Sequence, residues 1–107
     1  MILLVVPFLW VEGMTLWPFV LVRRPYPHAF LINHERIHLR QQLELGLVVF
    51  YLWYLLEYLY RWFQYQNQYL AYRNISFERE AFANDRDLTY LENRKWYGFW
   101  KYVYSEQ

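Results

Sequence analysis

The run His34-Glu35-Arg36-Ile37-His38 decides how the rest of this 107-residue chain reads. On an α-helix, residues four apart lie one above the other, so both imidazoles can turn toward a single metal ion. Glu35 then projects beside them, close enough to take a proton from a water that the metal activates. Two neutral nitrogen ligands and one carboxylate base on a single helix are the parts that zinc-dependent hydrolysis needs.

Two histidines hold zinc weakly, and a catalytic zinc takes three protein ligands while leaving one position open. The third donor must come from elsewhere. The chain has no cysteine, which removes thiolate ligands, cysteine nucleophiles and disulfides at once. Among the histidines only His28 remains, and it reads as a loop or first-turn residue with no role in the site. A carboxylate is the natural donor, and residues 77–85 (FEREAFAND) carry two candidates, Glu78 and Glu80. Two residues along a helix rotate a side chain by about 200°, so only one of the pair can face the histidines. The other belongs to a charged first turn that the helix dipole favours. The apolar face of this segment (Phe77, Ala81, Leu88, Leu91) lies nearer Glu80 than Glu78.

Outward from the motif, nothing interrupts a helix from residue 28 or 29 until Gly46, and a second helical segment continues through Trp62. Residues 64–75 are polar and read as a connection holding one helical turn. Ser76 suits the N-cap of a third helix over residues 77–93. Before the motif, Pro7 and Glu12-Gly13 break the apolar residues 1–22 into two pieces. Residues 15–22 are β-branched and aromatic, with Pro18 confining them to an edge strand. The expected architecture is mainly α, with a motif helix, a long hydrophobic helix, a third helix carrying the downstream glutamate, and one short N-terminal edge strand. One domain covers residues 1–107. It divides into an N-terminal apolar segment and loop (1–27), the motif and hydrophobic helices (28–63), the connection and third-ligand helix (64–93) and an aromatic tail (94–107).

Aromatic residues make up 24% of the chain, far too much apolar surface for a disordered one. A net charge of +1 with scattered basic residues gives no footprint for nucleic acid. Residues 1–22 lack a basic start and a small-residue cleavage site, so a cleaved signal peptide is not expected. Residues 45–63 have about the length of a spanning helix but hold Glu57 and Arg61, which at i, i+4 are expected to pair. Their Tyr and Trp content suits a boundary between apolar and wet surroundings. Membrane association is the expected localisation, with the cytoplasm otherwise.

His34-Glu35-x-x-His38 followed by E-x-x-A on a later helix resembles the gluzincin metallopeptidases. The layout is most similar to their membrane-linked members, the prenyl-protein endopeptidases and the antibiotic-sensing membrane metallopeptidases. Those follow H-E-x-x-H with an arginine-containing turn, a hydrophobic helix and an E-x-x-A-like segment, and residues 34–41 and then 45–63 repeat that order. The likeness covers residues 31–91. It implies a minimal zincin-like domain holding Zn²⁺ through His34, His38 and the glutamate of the later helix. The small residue one turn on lets the two helices approach, and a nearby Asp or Asn braces a ligating histidine. Glu78 with Ala81 fits the family's Phe-Glu-x-x-Ala context, while Glu80 with Ala83-Asn84 fits E-x-x-A-N. The context favours Glu78. Arg36 departs from the uncharged residues usual between Glu and His, which requires that position to face water.

The implied activity is peptide-bond hydrolysis, with Glu35 as general base and a peptide or protein as substrate. Tyr26, His28, Tyr72 and Arg73 are all eligible to stabilise the oxyanion, and residues 15–22 could pair with an extended substrate. The alternative is a non-enzymatic, membrane-associated or interaction module whose metal site is structural or vestigial. The oligomeric state is open.

Overall fold

The computed structural model describes residues 1–104. The chain is mainly helical, with a small three-stranded sheet: β1 (Ile2–Val5), β2 (Gly13–Leu16), β3 (Phe19–Val22), α1 (Ala29–Leu45), α2 (Leu47–Tyr65), α3 (Gln68–Arg73), α4 (Ser76–Asn84), α5 (Tyr90–Asn93) and a 3₁₀ turn (Gly98–Tyr102).

The apolar start yields more strand than its composition promised. Pro18 stands in the turn between β2 and β3, so it occupies no ladder position and leaves β3 free to be central. The strand order is β1-β3-β2, with β1 parallel and β2 antiparallel to β3. The single edge strand expected over residues 15–22 is therefore a hairpin, whose first arm, β2, forms an edge. Period-two alternation sends Thr15, Val20 and Val22 to the buried face, which packs on α1.

Gly46 divides the two long helices. It takes φ +80°, a conformation that L side chains rarely adopt, and its N–H closes α1 on the Gln42 carbonyl. The chain consequently bends by 112° between the axes of α1 and α2. That bend folds α2 back, so that Phe50 stacks on Phe77 of α4 with ring centroids 4.4 Å apart. Phe77 also meets Phe99 at 4.8 Å, which draws the aromatic tail into the core. Phe50, Ile75, Phe77 and Phe99 form this core, and each such side chain contributes about 2–3 kcal/mol by leaving water.

The third helix is shorter than residues 77–93. Asn33 on α1 donates from Nδ2 to the carbonyls of Asp85 and Asp87 at 2.9 Å, which holds the chain in a turn just past Asn84. The chain regains helical form only at Tyr90. Ser76 is the first helical residue rather than the cap, and Ile75 at the cap position offers no side-chain bond. Glu57 of α2 takes over, accepting from the Ser76 N–H at 2.6 Å and from its hydroxyl. A carboxylate there also answers the positive end of the helix dipole. The expected Glu57–Arg61 pair does not form: Arg61 instead donates to Gln64 Oε1 and to the Val103 carbonyl, both at 2.8 Å.

Candidate metal centre

Helix α1 buries a polar stripe. Asn33, His34, Glu35, His38, Gln41 and Gln42 are all turned inward alongside Ile37, while Arg36 faces water. Burying such groups without partners costs several kcal/mol in sum, so each needs a bond. Their partners build the site.

His34 Nε2 and His38 Nε2 converge on one oxygen of Glu78, at 3.1 and 3.0 Å from Oε1. These three residues offer ligand atoms that all lie within 4.8 Å of one another, and all three are buried. The far side of each ring is also engaged. His34 Nδ1 lies 3.0 Å from Asp85 Oδ2, and His38 Nδ1 lies 2.7 Å from Gln41 Oε1. Both neighbours are acceptors, because the Gln41 amide nitrogen is spent on the Phe77 carbonyl and Glu80 Oε1. An acceptor at Nδ1 holds a proton on that side of each ring, so that Nε2, which faces Glu78, is the nitrogen a metal would take in place of a proton.

The two glutamates take opposite sides of α4. Glu78 faces the histidines, and its Oε2 accepts from Tyr54 at 2.7 Å. Glu80 faces away, accepting from Tyr90 at 2.6 Å and pairing with Arg94, which also binds Glu44. Asn84 contacts the Glu80 carbonyl and the Tyr102 hydroxyl, so Asp85, not Asn84, braces the His34 ring. Ala81 is fully buried one turn after Glu78.

The electrostatics of the cluster favour positive charge. Burial opposes charge on His38, yet the Glu78 carboxylate beside it raises its pKa to about 9. Burial likewise opposes ionisation of Glu78, and the two imidazoles hold it well below the usual carboxylate range. Positive charge at this point is thus stabilised even when protons alone supply it. Burial and the Glu78 charge push the Tyr54 hydroxyl up, so it stays a donor.

Glu35 lies next to the cluster. The Thr15 hydroxyl of β2 donates to its Oε1 at 2.7 Å, and Gly13 leaves room for it, since a Cβ there would stand 3.3 Å from Glu35 Cγ. A cavity of about 900 Å³ reaches His34, Glu35, His38 and Glu78, with Gly13, Thr15 and Tyr72 on its wall. Of the four oxyanion candidates only Tyr72 lines this space. Tyr26 is 93% exposed, His28 accepts from the Phe30 N–H as the cap of α1, and the Arg73 guanidinium lies 3.8 Å over the Phe82 ring. The edge of β2 is partly occupied: the Thr15 carbonyl accepts from Gln42 and Tyr51, and the Trp17 N–H donates to Gln42.

Gln41, Thr15, Gly13 and Tyr54 were not singled out in the sequence. Gln41 alone carried a local signal, standing three residues after His38 and so on the same helix face. No protein-family model, no curated protein and no solved structure matches the chain.

Proposed function

We propose that this chain is a gluzincin-type, zinc-dependent metallopeptidase. The observation that carries the reading is the convergence of His34 Nε2, His38 Nε2 and Glu78 Oε1, with an acceptor behind each ring. Two imidazoles and a carboxylate suit zinc, and these three residues would hold it. When bound, zinc supplies Lewis acidity to a water and to a substrate carbonyl.

The rest falls to side chains of this chain. Glu35 accepts a proton from the attacking water and returns it to the leaving amine, and Thr15 fixes the carboxylate for that task. Tyr72 donates a hydrogen bond to the developing oxyanion. Burial and the charges of Glu78 and Glu35 raise its pKa and keep the phenol protonated. The cavity admits an extended peptide along β2 at Gly13, where the clip formed by Gln42 and Tyr51 has ended.

A purely structural metal site closes with four protein ligands. Among the described residues the cluster has three, and a cavity opens onto them, which favours the catalytic reading. The test is Glu35→Gln, assayed for zinc content and for cleavage of a quenched-fluorescent peptide library. Retained zinc with hydrolysis abolished supports the proposal. Loss of zinc would make Glu35 a ligand, and unchanged hydrolysis would remove it as the base.

A further inference from the structure

A helix on the surface of a water-soluble domain turns its charges out and its apolar side chains in. Helix α2 does the reverse. Its only charged side chains, Glu57 and Arg61, point into the protein, where Trp53, Ser76, Gln64 and the Val103 carbonyl engage them. Its outward side is apolar for its full length: Val48 is 82% exposed, Leu52 57%, Leu55 54%, Leu56 58% and Phe63 82%. From Trp62 through Val48 and Leu52 to Tyr60 this arc covers about 160° of the helix circumference and runs about 22 Å along the axis.

We infer that α2 is a membrane-seating face, lying in the plane of a bilayer with its outward half sunk into the acyl region. Three features select lipid as the occupant. A single partner helix covers only the narrow a/d seam of a coiled coil, well short of this arc, whereas a fluid medium wets the whole of it. No charge interrupts the arc, so it offers nothing for the polar rim of a protein interface to pair with. The ionisable residues are turned inward, Glu57 bonded to Trp53 and Ser76 and the two terminal nitrogens of Arg61 to Gln64 and the Val103 carbonyl, as they are on helices in contact with lipid. Among the described residues no single helix is long and apolar enough to cross a membrane, and the inner half of α2 is committed to α1, α3 and α4. Seating in the plane, immersed by about 5–10 Å, fits a helix with half of its girth free.

The test is flotation of the full chain with phosphatidylcholine vesicles, after dilution from mild detergent, against the double variant Leu52→Glu/Leu59→Glu. Both positions are exposed, so the variant should keep its far-UV circular dichroism and melting profile. The wild type is expected to float with neutral vesicles. The variant is expected to partition about 100-fold less or weaker, since each substitution replaces an immersed leucine by a charge. Flotation of the variant with wild-type efficiency would overturn the inference, and so would a wild type that stays with the lipid-free fraction. A requirement for anionic lipid, or a homodimer through α2 that vesicles do not disperse, would do the same. Zinc content is measured on the same samples, so failure of the metal reading would be seen separately.

Discussion

Replacing Gln41 with leucine tests whether the second layer of the site governs the first. Gln41 is fully buried and makes three hydrogen bonds: it accepts from His38 Nδ1 and donates to the Phe77 carbonyl and to Glu80 Oε1. Leucine has similar bulk and none of these bonds. Glu80 keeps Arg94 and Tyr90, so the group left stranded is the His38 N–H. An unpaired buried donor costs about 1–3 kcal/mol, and the melting temperature should fall accordingly. Losing the partner that orients a ligating histidine lowers metal affinity by about 10- to 100-fold. Chelator-competition titration at a temperature where both proteins are folded reads the affinity, and calorimetry reads the stability. Asp85→Ala, which frees His34 in the same way, should behave alike. Unchanged zinc affinity in Gln41→Leu, at whatever cost in stability, would refute the reasoning.

Glu80→Gln should show the opposite pattern. Weakening the buried pair with Arg94 costs about 3 kcal/mol, yet zinc affinity stays within about threefold because Glu80 reaches His38 only through Gln41. The metal-free protein should lose stability as pH rises. His38 has a folded pKa of about 9 against an ordinary 6.5, so its contribution is complete below pH 6.5 and gone once pH passes 9. Glu78, held low, contributes above its ordinary value of 4.5 and loses that contribution as pH falls below it. Thermal melts of the metal-free chain from pH 6 to 9.5 check the first limb, and a flat profile would contradict it. With zinc bound the alkaline limb should vanish, since a metal replaces the proton.

The motif, the two long helices and their break at Gly46 were legible because each rests on local rules: the i, i+4 spacing, the helical period and a residue that tolerates φ +80°. The 200° between Glu78 and Glu80 was legible as well, but the choice of Glu78 rested on the Phe-Glu-x-x-Ala resemblance alone, because which of them faces the histidines depends physically on how α4 is anchored. Glu57 and Asn33 anchor it, and both act across more than eighteen residues of sequence. The same holds for Thr15, brought to Glu35 by the β2–α1 contact. Pro18 misled the strand reading because its place in a turn freed β3 from the constraint it was expected to impose. Glu57 and Arg61 misled the pairing rule because tertiary partners outcompeted a surface ion pair worth a few tenths of a kcal/mol.

The most direct test of the central claim is zinc analysis of the chain purified without chelator, on the wild type and on His34→Ala/His38→Ala. The account predicts about one zinc per chain in the wild type and none in the double variant. Stoichiometric zinc retained by the double variant, or a folded wild type that takes up none, would contradict it.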